Sequence, residues 1–392
     1  MRFSGISRAS VLGDGGHEAG TALARDEVLR PSALAKVWTG HPGPLETMAV
    51  PGVVLGGGDV LVAVELTTIC GSDVHTVAGH RPAPTPLVLG HEYVGRITAI
   101  GAAGARDVAG GALELGDRVV WSIGVSCGSC DRCRAGLTQK CRTLRKYGHE
   151  RIGAHWELNG GFATHVHVRE GTAIVRVGEQ LPARVAAPAA CGAATAWAAL
   201  RRAEREVALR GAVVLVTGAG LVGLSATSIA TDRGARVIVS DPDRKRRKLA
   251  RRFGAEATID PCDAGALASA LQAMDATEVA VAVEASGAPT AVDTAVSSVG
   301  VGGVVVLVGS VFPGPAVPVD PERIVRGLVT IAGVHNYTGE DLRATVEHLR
   351  GAWGRHPFES LVDPVLPLDA IDEALALAGP GGPLRVGIDP RR

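Results

Sequence analysis

The chain of 392 residues is poor in aromatic side chains, since Trp, Tyr and Phe make up only 3% of it. A surface that stacks on nucleic-acid bases needs such side chains, so the composition argues against one. The chain also lacks a charge imbalance, because 40 basic residues offset 40 acidic ones. Without a net field to attract nucleic acid or an anionic membrane, we predict neither partner, and any anionic ligand must be bound locally.

Long apolar segments are lacking as well. The longest uncharged run, residues 294–319, contains five glycines and three prolines, which indicates buried strands rather than a membrane span. The first residues lack a basic segment followed by an apolar one, so we do not expect secretion. We therefore predict a cytoplasmic, reducing location, where clustered cysteines favour metal binding over disulfides.

The chain changes character along its length. Residues 1–33 show no strand alternation and are interpreted as a flexible N-terminal extension, with a first strand beginning near Ala35. Short apolar runs broken by Gly, Pro and Asp then predict a β-rich, barrel-like domain up to about residue 190. From Ala212, strands and helices alternate, which predicts a doubly wound parallel sheet. The segment from about residue 332 is short and is expected to return to the first domain.

Four of the seven cysteines are concentrated in "CGSCDRCRAGLTQKC", residues 127–141. Such a cluster can form disulfides, a redox pair, a nucleic-acid-binding zinc module or a structural metal cage. The reducing compartment disfavours disulfides, and the few cations and aromatics in this segment disfavour the nucleic-acid module. Zn²⁺ takes four thiolates in a tetrahedron and then has no open position, so we expect a structural zinc. Its expected ligands are Cys127, Cys130, Cys133 and Cys141.

A second set of metal-ligating residue types is scattered through other segments. Cys70 lies in "TICGSDVHT", His91 and Glu92 lie in "LGHEYVG", and Cys191 lies in "APAACGAATAW". Taken singly, each also suits an ordinary buried position. Together they supply two thiolates, an imidazole and a carboxylate, which fits a catalytic zinc with one position open to water or substrate.

A glycine fingerprint follows the predicted strand "AVVLVT" and opens a predicted helix. Its residues are Gly218, Ala219, Gly220, Leu221, Val222 and Gly223. This strand, turn and helix context is typical of a dinucleotide-binding loop that holds the pyrophosphate at a helix N-terminus. Asp241 ends the next strand and can accept hydrogen bonds from the ribose hydroxyls, which favours NAD over NADP, although Arg244 and Lys245 follow closely. An N-cap for the following helix is the alternative role of Asp241.

These motifs, in this order, resemble those of the zinc-dependent medium-chain alcohol dehydrogenases from about residue 35 onward. The resemblance implies an α/β fold with two domains. A β-rich, GroES-like zinc catalytic domain would comprise residues 34–191 and 332–392, and a doubly wound, parallel-sheet Rossmann domain residues 192–331. It also implies two zinc ions per chain, of which the catalytic one is held by Cys70, His91 and Cys191.

The resemblance further implies roles for residues around that zinc. Ser72 and His75 match a proton relay, and Glu92 matches a carboxylate beside the metal. Asp73 matches a residue that orients His91, although turn capping is an alternative for Ser72 and Asp73. Arg385, in the last predicted strand, matches a residue that contacts the cofactor pyrophosphate.

The implied reaction is hydride transfer between NAD and a small alcohol, or its aldehyde or ketone. Segments such as "VVWSIGVSCGSCDRC" and "GVHNYTGEDL" are similar to a subgroup that has been associated with phosphonate metabolism. A phosphonate or other anionic substrate is therefore a hypothesis, with Arg81, Lys146, His149 and His335 as candidate contacts. These four residues are equally compatible with ordinary surface or packed positions.

Two alternatives stay open from the sequence. One is a general alcohol or polyol dehydrogenase with a neutral substrate, and the other is a non-catalytic, NAD-binding structural relative. Members of the resembled family are usually dimers or tetramers, so we expect a homodimer or homotetramer. Cys262 has no partner in either cysteine set.

Overall fold

Runs of β-branched residues separated by turn residues form strands throughout the computed structural model, which describes residues 24–41 and 43–392. The strands are β1 (Arg25–Trp38), β2 (Glu46–Leu55), β3 (Val60–Thr68), β4 (Leu87–Val88), β5 (Glu92–Ile100), β6 (Arg118–Val125), β7 (Arg145–Lys146), β8 (His165–Val168), β9 (Thr172–Arg176), β10 (Val213–Thr217), β11 (Arg236–Ser240), β12 (Ala257–Ile259), β13 (Val279–Glu284), β14 (Val299–Leu307), β15 (Thr330–Gly333), β16 (Val362–Pro367) and β17 (Arg385–Asp389).

Helices connect most of the later strands. They are α1 (Gly71–Val77), α2 (Asp131–Arg134), α3 (Ala183–Ala186), α4 (Gly192–Ala203), α5 (Leu221–Asp232), α6 (Arg244–Arg252), α7 (Ala266–Ala273), α8 (Pro289–Ser298), α9 (Pro321–Gly327), α10 (Gly339–Ala352) and α11 (Ile371–Leu377). Short 3₁₀ helices span Thr138–Lys140, Ala187–Ala190, Phe358–Leu361 and Leu368–Ala370. No helix in the described part of the chain is long and apolar enough to cross a membrane.

The first strand begins well before the predicted start near Ala35. Residues from Arg25 onward pair antiparallel with β2, and the register shifts between Val28 and Ala33. Backbone pairing does not depend on side-chain alternation, and this irregularity obscures the period of two on which the sequence pattern relied. The assignment of residues 25–33 to a flexible extension was therefore wrong. Residues 1–23 of that extension lie outside the described residues.

The alternating segment forms a six-stranded parallel sheet in the order β12-β11-β10-β13-β14-β15. The central strand β10 is buried along its whole length, as expected for a strand covered by helices on both faces. The chain leaves β10 for β11 on one side and later adds β13 on the other side. This reversal creates a crevice at the carboxyl end of β10, the usual ligand site of such sheets.

The remaining strands form an eight-stranded sheet and a three-stranded sheet. In the larger one, β17 pairs antiparallel with β3, and Gly387 lies opposite Thr68. The last segment therefore returns to the sheet built by the first part of the chain, while the domain limits at residues 191 and 332 stay predictions. Tyr93, two residues after His91 in the chain, stacks on Trp121 in its core with ring centroids 3.9 Å apart.

Candidate active site

A cleft of about 390 Å³ lies between the eight-stranded sheet and the carboxyl end of the parallel sheet. The eight-stranded sheet side contributes Cys70, His91 and Arg385, and the parallel-sheet side contributes Ala285 and Val308. Because both sides reach the same space, a ligand of one side can contact a ligand of the other.

Four of the predicted residues converge near one end of this cleft; three of them line it, and Glu92 is fully buried. Cys70 precedes α1, and Cys191 precedes α4. His91 directly precedes β5, which begins at Glu92. One ligand atom from each of them lies within 4.8 Å of the others. Two thiols, an imidazole and a carboxylate at this spacing have the right chemistry for a zinc ion.

Asp73 ties the segments of this cluster together. Its carboxylate accepts hydrogen bonds from the backbone N–H of Cys70 at 2.9 Å and of Gly90 at 3.2 Å. One of its oxygens also lies 3.5 Å from Nδ1 of the buried His91. That contact leaves Nε2 of His91 facing Ser72, whose Oγ is 3.3 Å away. Asp73 thus has the geometry of a residue that orients a metal-ligating imidazole.

The electrostatics of this cluster prepare it for a cation. The neighbouring Cys191 thiol lowers the pKa of Cys70 well below its usual value, against the opposing effect of burial, and Arg385 adds to the lowering. Burial acts to lower the pKa of His91, but the Asp73 carboxylate outweighs it and raises that pKa to about 10. A bound cation would favour the deprotonated forms of these side chains, because zinc binds thiolate and neutral imidazole.

Arg385 lies against this cluster and not apart from it. Its guanidinium donates two hydrogen bonds to Glu92, at 2.8 and 2.9 Å, and its Nη2 lies 3.7 Å from Sγ of Cys70. Thr68 also donates to the Glu92 carboxylate. The predicted contact of Arg385 with the cofactor pyrophosphate stays a prediction, while its partner within the protein is Glu92.

The four cysteines of residues 127–141 form a separate cluster. Their sulfurs lie within 4.8 Å of one another, and Cys127 and Cys141 are 3.5 Å apart. This separation is far longer than a disulfide bond, and none of the seven cysteines is paired in one. We call residues 127–141 the cysteine lobe. Arg142, which follows its last cysteine, donates to Asp131, which follows Cys130, at 2.6 and 2.7 Å. The lobe has the donor set of a closed zinc site.

The glycine fingerprint has the backbone that a dinucleotide loop requires. Gly218 directly follows β10 with a φ of +94°, and a Cβ on Gly223 would overlap the carbonyl oxygen of Gly218. Gly220 has open space where a Cβ would be, and α5 begins immediately after it. The loop can therefore approach a pyrophosphate closely at a helix N-terminus.

Asp241 lies beside this loop, at the end of β11. Its carboxylate accepts from the backbone N–H of Ala219 at 2.7 Å and of Asp243 at 2.8 Å. The alternative role as N-cap of α6 belongs instead to Asp243, which accepts from the N–H groups of Lys245 and Arg246. Asp241 is thus fixed next to the fingerprint, and its contact with the ribose stays a prediction.

The two predicted relay residues both line the cleft. The ring of His75 packs against Phe312, with centroids 4.8 Å apart. No hydrogen bond joins Ser72 directly to His75 among the residues that the structure describes. A relay between them therefore needs a group from a bound ligand, such as a ribose hydroxyl.

The four candidate anion contacts also border the cleft: Arg81, Lys146, His149 and His335. Arg81 lies 2.8 Å from Nε2 of His149. Among the described residues that line the cleft, none is Asp or Glu. The part of the cleft lined by these four residues is therefore basic, and no acidic side chain in the lining neutralises it.

Comparison with known proteins agrees with this geometry. The family "Alcohol dehydrogenase GroES-like domain" matches residues 56–179, and "Zinc-binding dehydrogenase" matches residues 222–351. An L-threonine 3-dehydrogenase of Streptomyces avermitilis is 34% identical over 301 residues, which cover 75% of this chain and 81% of that protein. This chain belongs to the zinc-binding medium-chain alcohol dehydrogenase family.

Solved structures support the same family. An alcohol dehydrogenase from Thermotoga maritima superimposes with a TM-score of 0.83 and 28% identity, covering 91% of this chain and 99% of that one. A zinc-binding dehydrogenase from Sinorhizobium meliloti, bound to NADP, gives 0.74 and 26%, covering 92% and 99%. The predicted α/β fold class is confirmed, and the predicted cofactor types, zinc and a nicotinamide dinucleotide, are those of this family. The relatives' names give no support to the phosphonate subgroup.

Glu284 is a buried acidic residue beside the glycine fingerprint that the sequence reasoning missed. It is fully buried at the end of β13, next to Thr217 at the end of β10. One carboxylate oxygen accepts from the backbone N–H groups of Ser286 and Gly287, both at 2.7 Å. It thereby holds the loop against Gly218, since a Cβ on Gly218 would contact Ser286. An acidic residue ending the buried run "EVAVAVE" was the available signal.

Proposed function

We propose that this enzyme transfers a hydride between a small alcohol, or its carbonyl product, and NAD at a zinc ion held by Cys70, His91 and Cys191. The observation that carries the proposal is the convergence of these three side chains in the cleft that Val222 of the glycine fingerprint also borders. A non-catalytic relative would not need that ligand set beside a dinucleotide loop.

When bound, the zinc supplies a Lewis acid that stabilises negative charge on the substrate oxygen. The residues around it supply orientation and proton transfer. Asp73 fixes the ring of His91, and Arg385 balances the charge of Glu92. Ser72 and His75 would carry the substrate proton away from the cleft, and a ribose hydroxyl of a bound dinucleotide would link the two side chains.

The metal assignment is tested by measuring zinc in purified variants. We expect two zinc ions per chain in the wild type and one in each of Cys70→Ser and Cys130→Ser. Only Cys70→Ser should abolish turnover while its circular dichroism stays native, because Cys130 lies in the cysteine lobe. Cys262→Ser is the matched control and should keep both ions, since Cys262 is exposed and outside both clusters. Full zinc content and turnover in Cys70→Ser would overturn the assignment.

The preference for NAD over NADP rests on Asp241. A fixed carboxylate beside Ala219 accepts from ribose hydroxyls and repels a 2′-phosphate. We expect kcat/KM to be higher with NAD, and Asp241→Ser to shift the ratio toward NADP. A wild-type enzyme that prefers NADP would contradict this part of the proposal.

The substrate is proposed to carry an anionic group, a phosphonate or a carboxylate. The basic wall of the cleft supports this, because charge-assisted hydrogen bonds from Arg81 and Lys146 would hold such a group. The relatives named for threonine favour a second candidate, an amino-acid alcohol. A free ammonium group would, however, find no carboxylate among the described lining residues.

A homodimer is proposed from the free edge of the parallel sheet. Strand β15 pairs with β14 alone among the described strands, and apolar side chains near it are exposed, including Ile331 and Leu328. An edge of this kind is suited to pairing with a second copy of the chain.

The seven free cysteines suit the reducing cytoplasm that we predicted as the location of this protein.

A further inference from the structure

The cysteine lobe reaches the catalytic cleft through one side chain. Lys140 ends the 3₁₀ helix next to Cys141, and its backbone is held by Leu137, at 2.9 Å, and by Arg132, at 3.0 Å. Its Nζ lies 2.5 Å from Nδ1 of His335, a residue 195 positions later that borders the cleft. The lobe therefore places the Lys140 ammonium group within hydrogen-bond distance of the imidazole ring of His335.

This contact decides which nitrogen of His335 carries the proton. An ammonium group only donates hydrogen bonds, so Nδ1 must accept and the proton of the neutral ring lies on Nε2. Burial and the cations Lys146, Lys140 and Arg81 lower the pKa of His335 to about 4. At neutral pH, His335 is therefore an uncharged ring that offers one donor, Nε2–H.

His149 has the opposite arrangement. Its Nδ1 lies 2.9 Å from the carbonyl oxygen of Tyr147 and must donate to it, so Nε2 accepts from Arg81. Burial keeps the pKa of His149 well below its usual value. In His335 and His149, the ring nitrogen that could accept a hydrogen bond already faces Lys140 or Arg81. Neither of these two rings therefore offers an acceptor to a ligand.

We propose that Lys140 is a positioning residue of the substrate site, which holds His335 as an Nε2–H donor to an anionic oxygen of the substrate. The proposal rests on the proposed function and deepens it by naming the substrate class: an alcohol with a carboxylate or phosphonate and no free ammonium. Arg81 and Lys146 border the same cleft and complete a set of donors without acceptors. An ammonium group would meet like charge there.

Kinetics with the zinc-loaded enzyme test the role of Lys140. The probes are 4-hydroxybutyrate, 3-hydroxypropylphosphonate and 1-butanol, which separate the carboxylate, the phosphonate and the neutral alcohol. Lys140→Met should raise KM for whichever anionic alcohol the enzyme oxidises by about tenfold. This corresponds to the loss of one charge-assisted hydrogen bond, the one from Nε2–H of His335 to the anionic oxygen. The substitution should leave kcat and the KM for 1-butanol within about twofold. Lys140→Arg should restore most of the anion affinity, and Arg134→Met, another exposed cation of the lobe, is the matched control.

Nitrogen-15 NMR of histidine-labelled enzyme supplies a readout that does not depend on turnover. Wild-type His335 should show the Nε2–H form, and its Nε2 signal should shift when methylphosphonate is added. Lys140→Met should give a mixture of tautomers and a weaker response to methylphosphonate. An unchanged tautomer, or equal losses on anionic and neutral alcohols, would overturn the inference.

The hydride-transfer function and the role of Lys140 can be refuted separately. If the wild type oxidises none of the three probes with either dinucleotide, the proposed function is weakened, while the NMR titration still decides the role of Lys140. If 1-butanol is oxidised and Lys140→Met behaves as the wild type on every probe and in the titration, the function stands and the role of Lys140 is refuted.

Discussion

Arg385→Met should be among the most destabilising single substitutions in this enzyme. The Glu92 side chain is 0% exposed and that of Arg385 is 12% exposed, and two hydrogen bonds join them. Methionine fills a similar volume but leaves a buried carboxylate with Thr68 as its remaining side-chain donor. Removing one partner of a buried ion pair costs about 3–5 kcal/mol, because the other charge stays buried without compensation.

A double-mutant cycle isolates the contribution of the pair. Glu92→Gln removes the charge, so Arg385→Met should cost less in that background, and we expect a coupling energy of about 2 kcal/mol. Urea unfolding followed by tryptophan fluorescence measures it, since Trp121 is buried in the same sheet. Arg391→Met is the matched control: Arg391 pairs with Asp389 at 2.9 Å but is 61% exposed, so its loss should cost less than about 1 kcal/mol.

Two outcomes would refute this reasoning. One is an Arg385→Met variant no less stable than Arg391→Met. The other is a cycle in which the single losses simply add, which would mean that Glu92 and Arg385 do not interact across the sheet. Zinc content should be measured in each variant, so that a loss of metal is not counted as a loss of the ion pair.

Three further predictions follow from other parts of the molecule. Gly223→Ala should abolish NADH binding, measured by fluorescence, and lower the thermal midpoint, because the new Cβ would overlap the carbonyl oxygen of Gly218. Gly220→Ala should weaken NADH binding alone, since there is open space for a Cβ at that position. Equal thermal midpoints for the two variants would contradict this. Burial lowers the pKa of His348 to about 4, so the unfolded chain binds this proton more readily and stability should fall as the pH drops from about 6.5 toward 4. His348→Gln should reduce this pH-dependent loss of unfolding free energy, measured by urea unfolding, by at most about 3 kcal/mol. An unchanged pH dependence would count against it. Ile331→Lys, on the free edge of the parallel sheet, should shift the assembly toward monomer in sedimentation velocity, whereas unaltered sedimentation would point to another interface.

Local chemistry made much of the site predictable. The fingerprint from Gly218 to Gly223 needs a strand before it and a helix after it, and the run of residues on both sides supplies them. The spacing of the lobe cysteines likewise suits one ion, whatever the rest of the fold. For such features the partners are close in sequence, so a pattern carries the structural information.

Contacts between distant segments were not predictable in this way. Arg385 meets Glu92 across 293 positions and Lys140 meets His335 across 195, and no local pattern marks either pair. The early start of β1 at Arg25 was missed for the same reason, because its residues are ordered by pairing with β2. Tertiary packing decides such contacts, and one sequence does not reveal which strands become neighbours.

The return of β17 to the first sheet has a consequence for the order of folding during synthesis. Residues 213–333, which hold all six strands of the parallel sheet, leave the ribosome before β17 is made, so that half can form early. Glu92 emerges much sooner, yet its counter-charge arrives only with Arg385. Until then the nascent chain carries a ligand cluster whose carboxylate lacks its arginine, and the end of β3 at Thr67 and Thr68 lacks its β17 partner. This is the stage at which a chaperone or an early metal ion would matter most.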